Sequence, residues 1–209
     1  MALAFFDLDG TLTKIDTFVP YCVMALIHRP WRIIRVATVI RGLVRFMGGE
    51  IDSQSIKETL VSVFLGSAAR EDIDRWNRIF LYKVFPALLR QTLLLRARQH
   101  QKIGDRVFIV SASPDIYLEP FVRQWRFDGL ICTRLEFKEM RLSGKILGKN
   151  CRGEEKARRI RALFTDAELD GSSGYGNSGA DRQMLELVSV GYFVSRTGLI
   201  SQRLGAESH

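Results

Sequence analysis

The chain has 209 residues, 46% hydrophobic and 26% charged, a balance that excludes a mostly disordered or fibrous protein and suits one core with an inserted subdomain, or two small domains. Its 31 Lys and Arg against 23 Asp and Glu leave a net charge of +8, which favours an anionic partner: a phosphate ester, nucleic acid or an acidic membrane surface. Cys22, Cys132 and Cys151 are odd in number and lack C-x-x-C spacing, so neither a disulfide framework nor a zinc site is expected. Asp7 and Asp9 interrupt the only N-terminal apolar stretch, so no secretory signal is expected and a reducing cytoplasm is the expected setting. The most apolar region, Phe18 to Met47, is broken by Arg29, Arg32, Arg35, Arg41 and Arg45, so no membrane span is expected either.

In chain order, Leu3 to Leu8 is a short apolar run ending in acid, glycine and threonine, which predicts a buried strand entering a loop. From Phe18 to about Tyr82 the pattern is helical, with joints at Arg29-Pro30, Gly48 to Asp52 and Gly66-Ser67. Pro86 marks a return: Ala87 to Gln101 predicts a helix, Gly104-Asp105 a turn, and Arg106 to Ser111 a second buried strand. Leu130 to Thr133 predicts a third, weaker strand. Glu136 to Leu147 predicts a hairpin turning at Ser143-Gly144. Glu154 to Phe164 predicts a basic helix, Gly171 to Gly179 a loop, Met184 to Val188 a helix and Gly191 to Ser195 a last strand.

Strands alternating with helices predict an α/β fold with a Rossmann-like, doubly wound parallel sheet. The helical block between the first two strands is too long for one crossover. It is expected to be an inserted all-helical cap over residues 14–85, with residues 1–13 and 86–209 forming the core.

The chemistry starts at Asp7-Leu8-Asp9-Gly10-Thr11, after the first strand, at the sheet edge where open α/β folds bind ligands. Alternation puts Asp7 and Asp9 on one side. Two carboxylates this close repel unless a cation or a shared proton relieves them, and Mg²⁺, a hard ion that prefers oxygen, is the simplest relief. A carboxylate can also be the attacking group. The competing reading is a plain Asp-Gly turn.

FFDLDGTLT resembles the first motif of the haloacid dehalogenase-like phosphohydrolases. Ser111, in IVSASP, looks like the second motif, with Ser113 as a rival. Lys156, in RGEEKARRI, looks like the third, with Lys149 as runner-up. YGNSGAD, Tyr175 to Asp181, looks like the fourth, although Asn177 stands where the family has an acid. Together these cover Leu3 to Thr13 and Pro86 to Ser195. The resemblance implies that Asp7 is the nucleophile forming an aspartyl-phosphate, that Asp9 is the general acid and base, and that Lys156 neutralises charge. It implies that Ser111, the following backbone N–H at Ala112, and Gly10 and Thr11 hold the phosphoryl group. It also implies that Asp7, Asp9 (through its carbonyl), Asn177 and Asp181 bind Mg²⁺.

The size and position of the cap resemble the phosphoserine phosphatase-like branch (subfamily IB), where an acid seven residues after the second Asp helps hold substrate. Here that position is Asp16, which could equally pin the hinge. In Arg32 to Met47, helical projection clusters Val36, Val39, Ile40, Leu43, Val44, Phe46 and Met47 on one arc, and Arg35, Arg41 and Arg45 on the other. Thr17 to Gly49 holds five arginines and no acid. This suits either a helix lying at an anionic bilayer interface or a helix packed on its neighbours with a solvated basic edge. No nucleic-acid partner is expected, because interleaved exposed aromatics are lacking. The arginine-rich cap and the YGNSxxD ending resemble bacterial phosphatases near phosphatidylglycerophosphatase C, which implies a lipid phosphate as substrate. A small metabolite phosphate is the alternative, and a non-enzymatic membrane-binding regulator a further one. A cytoplasmic protein, peripheral at the inner membrane surface, is expected.

Overall fold

The computed structural model describes residues 1–203. Residues 204–209 of the expected core lie outside them. The central sheet is built on β1 (Leu3–Phe6), which pairs in parallel with β2 (Arg106–Pro114) on one side and β6 (Ser173–Gly176) on the other. β3 (Gly129–Thr133) extends the sheet beyond β2, and β7 (Val190–Val194) extends it beyond β6, both in parallel. β8 (Ile200–Arg203) closes that edge antiparallel to β7. The order β3-β2-β1-β6-β7-β8 is doubly wound, as expected, with β1 at the switch in direction.

All four residues of β1 are buried, because helices cover both faces of the sheet. Alternation sends Ala4 and Phe6 into one apolar cluster, with Leu93, Ala97, Tyr117 and Phe121, and Leu3 and Phe5 into another, with Ile160, Phe164, Met184 and Leu185. The first cluster draws on α6 (Gln91–Lys102) and α7 (Asp115–Gln124). The second draws on α8 (Glu154–Arg161) and α10 (Arg182–Leu187), which follows the short α9 (Asp166–Leu169).

Between β1 and β2 the chain is helical: α1 (Phe18–His28), a 3₁₀ segment (Pro30–Arg35), α2 (Val36–Met47), α3 (Ser53–Leu60), α4 (Arg70–Ile79) and α5 (Phe85–Leu88). Chain entry and exit lie side by side. Thr13 bridges Leu89, while the N–H of Lys14 donates to the Leu88 carbonyl at 2.8 Å and that of Arg90 to the Leu12 carbonyl at 2.8 Å. The helical segment shares its interior with the sheet domain. Tyr21 stacks on Tyr117 at 4.7 Å and meets Phe80 edge-on at 5.1 Å, and Asn77 accepts from the Tyr21 hydroxyl and donates to the Ile116 carbonyl.

Three expectations need correction. The hairpin of β4 (Leu135–Lys138) and β5 (Arg141–Ile146) turns at Glu139-Met140, both at positive φ, and not at Ser143-Gly144. Ser143-Gly144 falls inside β5 where the register shifts, and Gly144 (φ +93) faces the backbone of Ser62 so closely that a Cβ would sit 3.1 Å from its Cα. The sequence signal marked an irregular strand, not its reversal. The expected loop at Gly171–Gly179 contains β6, whose Gly174 lets Val188 approach and whose Gly176 lets Asp181 approach. The helix expected over Ala87–Gln101 is broken at Leu89, where the extended backbone forms the bridge to Thr13.

Candidate active site

Asp7, Ser111 and Asn177 lie at the carboxyl ends of β1, β2 and β6, three neighbouring parallel strands. Lys156, from the first turn of α8, reaches between them, with Nζ 2.6 Å from Asp7 Oδ1 and 2.6 Å from Asp181 Oδ1. All three side chains are buried. Burial pushes the Asp7 carboxyl up to about 7, against the pull of Lys156. Burial alone would lower Lys156, but the two carboxylates outweigh it and raise the lysine. Asp181 is held below its ordinary value despite burial by Lys156 and Ser178. Lys149, the runner-up, is exposed.

Both oxygens of Asp181 are occupied. Oδ2 accepts the N–H groups of Asn177 (3.1 Å) and Ser178 (3.0 Å) and the Ser178 hydroxyl (2.8 Å). Asp181 therefore holds Lys156 with one oxygen and shapes the Asn177-Ser178 turn with the other.

The inward atom of the Asn177 amide lies 3.3 Å from Asp7 Oδ2, 3.2 Å from the Asp9 carbonyl oxygen and 3.2 Å from Thr11 Oγ1. All three can accept, so in the absence of a cation the amide nitrogen faces inward and donates to them. With the amide oxygen turned in, Asp7 Oδ2, the Asp9 carbonyl and Asn177 Oδ1 form an all-oxygen set that a hard cation such as Mg²⁺ fits. Gly10 (φ +86) makes this possible, because a Cβ there would collide with Asn177. Among the described residues no group of three or more His, Cys, Asp or Glu forms a metal cluster; the set rests on one carboxylate, one amide and one main-chain carbonyl.

The Asp9 side chain points elsewhere. Its Oδ1 accepts the N–H and hydroxyl of Thr17, both at 2.7 Å, and its Oδ2 accepts Ser113 Oγ at 2.6 Å and Ser111 Oγ at 3.3 Å. The Thr17 hydroxyl also bonds Tyr117 at 3.0 Å. Ser111 and its rival Ser113 thus share one partner, and the Ser113 N–H donates to Ser111 Oγ at 3.0 Å. Asp16 lies beside this group, accepting the N–H of Phe18 and of Val19 at 2.8 and 3.1 Å. It caps α1 at the chain entry to the helices.

Sequence reasoning missed Lys57. From α3 its Nζ donates to the Ala112 carbonyl and to Asn150 Oδ1 (2.8 Å), across from Asp9 and Asp16. Desolvation brings its ammonium down to about 8, against the pull of those two acids. Thr17 and Tyr117 were missed as well. A lysine within one of several helices carries no local signal; only the packing of α3 on the loop after β2 singles it out.

A buried aspartate paired with lysine, beside a set of oxygens that fits a hard cation at the switch point of a parallel sheet, suits a hydrolase of phosphate esters. Residues 4–186 match the model of the haloacid dehalogenase-like hydrolases, and the chain belongs to that family. It is 32% identical over 197 residues to Protein CicA of Caulobacter vibrioides (strain NA1000 / CB15N), covering 93% of this chain and 86% of the relative. A solved protein of unknown function from Bordetella pertussis Tohama I superposes with a TM-score of 0.75 at 25% identity, covering 91% of this chain and 88% of the other. A phospho-aspartyl intermediate analogue of phosphoserine phosphatase shares the fold with a TM-score of 0.62 at 16% identity, covering 91% and 84%.

Proposed function

We propose that this hydrolase is a magnesium-dependent phosphomonoester phosphatase that works through an aspartyl-phosphate on Asp7. The observation that carries the reading is the division of Asp7: Oδ1 is held by Lys156, and Oδ2 faces the Asp9 carbonyl and Asn177. Magnesium on Asp7 Oδ2, the Asp9 carbonyl and Asn177 would set positive charge against the phosphoryl oxygens. Asp181 supports it by fixing the Asn177 turn.

Asp7 attacks phosphorus, a phosphorus–oxygen bond to Asp7 forms, and the bond to the substrate alcohol breaks. Asp9 gives its proton to the departing oxygen and then takes one from the water that hydrolyses the acyl phosphate. Thr17 and Ser113 hold the Asp9 carboxylate in place for both transfers. Ser111 Oγ and the N–H groups at Ala112, Gly10 and Thr11 receive the phosphoryl oxygens, while Lys156 balances their charge.

Residues 14–85 serve as a cap over a core of residues 1–13 and 86–203, and the cap selects the substrate. We read that substrate as a phosphate ester carried by a lipid, with the enzyme peripheral to the cytoplasmic face of the membrane; the basic, apolar surface of the cap supports this. A small soluble phosphomonoester is the second reading, favoured by Lys57 and Asp16 at the cap side of the site.

Asp7→Asn tests the mechanism. It removes the nucleophile at nearly constant volume, so a folded variant should lose at least about 10³ in kcat, measured on p-nitrophenyl phosphate with Mg²⁺. A variant keeping a tenth of its activity overturns the aspartyl-phosphate.

A further inference from the structure

Of the 21 large apolar side chains exposed among the described residues, 11 fall between residues 19 and 47, so the exposure is concentrated rather than scattered. α1 buries Phe18, Tyr21, Cys22, Met24 and Ala25 and leaves Val19, Val23 and Ile27 in solvent, one turn apart. In α2 only Val39 and Gly42 are buried; Gly42 sits so close to α3 that a Cβ would lie 3.1 Å from Ile56 Cδ1. Most of the apolar arc of α2 is therefore unused by the fold: Ile40 is 58% exposed, Val44 59% and Met47 78%. Ile34, in the 3₁₀ segment between the two helices, is 81% exposed.

The charge around this face is one-sided. Arg29 and Arg32 turn inward and donate to the Gly66 carbonyl, Arg32 also to those of Ser62 and Val63. Arg35, Arg41 and Arg45 stay exposed, and no acid occurs from Thr17 to Gly49. Asp16 and Glu50 flank this stretch, and Glu50 pairs with Arg45 at 3.0 Å. A second copy of this face would bring arginines against arginines, whereas an anionic lipid surface matches both its charge and its apolar centre. Trp31, 62% exposed, has the amphipathic ring that settles at headgroup depth. No helix among the described residues is long and apolar enough to cross a membrane, so the face would lie on a bilayer rather than span it.

We propose that the exposed face of α1, the 3₁₀ segment and α2 docks this protein on the surface of an anionic lipid bilayer. The stripe begins at Val19, two residues beyond the Thr17 that holds Asp9, so docking sets the catalytic pocket beside the headgroups. The proposal deepens the lipid-phosphate reading and draws its purpose from it, yet its test needs no turnover.

The test is co-sedimentation of the full chain with vesicles of phosphatidylcholine alone and with an added share of phosphatidylglycerol, at low and high salt. Binding should require the anionic lipid and weaken with salt. Each arginine at such a surface multiplies partitioning about fivefold, so Arg35→Gln, Arg41→Gln and Arg45→Gln together should cut it on the order of a hundredfold at low salt. Ile34→Ser with Met47→Ser, both exposed and so tolerated by the fold, should also release the protein. Hydrolysis of p-nitrophenyl phosphate should be unchanged in both variants, which separates loss of docking from failure of the catalytic reading. Equal binding to both vesicle types, no binding at low salt, or a triple variant that binds like the parent overturns the proposal. Concentration-dependent dimerisation abolished by the Ser pair, with no vesicle binding, assigns the face to a second copy instead and overturns it too.

Discussion

Asn177 places a neutral oxygen where a carboxylate would add a second negative charge beside Asp7. Asn177→Asp should therefore tighten Mg²⁺, seen as half-maximal activity at lower Mg²⁺ and as stronger binding by calorimetry; an unchanged Mg²⁺ affinity would remove residue 177 from the cation set. Lys57 offers a second test through pH. Desolvation has lowered its ammonium to about 8, so its positive charge is present below that pH and disappears as pH rises through it. If it steers a negatively charged substrate, KM should rise above pH 8 while kcat changes little, and Lys57→Met should show the raised KM at every pH. Parallel KM profiles for parent and variant would confine the lysine to its bonds with Ala112 and Asn150. Lys156 is a poorer subject for such a test. Removing it would leave Asp7 and Asp181 buried without their shared cation, costing about 3–5 kcal/mol of stability and mixing folding with catalysis.

At the level of elements, the β4–β5 hairpin is locked to the helical segment. The Ser67 N–H donates to the Leu142 carbonyl at 2.7 Å and the Leu142 N–H to that of Ala68 at 3.0 Å. Glu58 of α3 accepts from Lys145 Nζ and from the Ile146 N–H. Gly144 packs against Ser62 within this contact, where a Cβ would lie 3.1 Å from the Ser62 Cα, so Gly144→Val should cost about 1–3 kcal/mol through its positive φ and more through the collision with Ser62. Thermal unfolding should show Tm lower by about 2–4 °C per kcal/mol; an unchanged Tm would mean that hairpin and helix part freely. Elements with a strong period were legible in the sequence: β1, β2 and the run of helices between them. β6 was not, because Ser-Gly-Tyr-Gly has no β-branched residue and its glycines serve close packing. The amphipathic arc of α2 was legible as a pattern, but whether it faced a neighbour or solvent depended on how little of it α3 covers.

For the molecule as a whole, the motifs around Asp7, Ser111 and Asn177-Asp181 could be read from the sequence because they lie at the carboxyl ends of three strands of one parallel sheet, which deliver such residues to one edge; Lys156 joins them from α8, after the β4–β5 hairpin, and was legible only through its order among the motifs. The residues that came from the helical segment, Lys57 and Thr17, could not, since no local pattern orients one packed helix on another domain. The strand order carries a further consequence for synthesis of the chain. β1 emerges first, yet its hydrogen-bonding neighbours are β2, about 100 residues later, and β6, about 170 residues later. At ribosomal speeds of roughly 5–20 residues per second, Leu-Ala-Phe-Phe waits on the order of ten to thirty seconds for both edges to be covered. During that wait the most apolar strand of the sheet is open to pairing with other chains, and the cation cradle cannot exist, because its Asn177 follows β6. A chain that ends before Asn177 therefore lacks the amide of the cradle, and β1 gains its second neighbour only when β6 pairs beside it, so the covering of the first strand and the completion of the pocket depend on the same late segment.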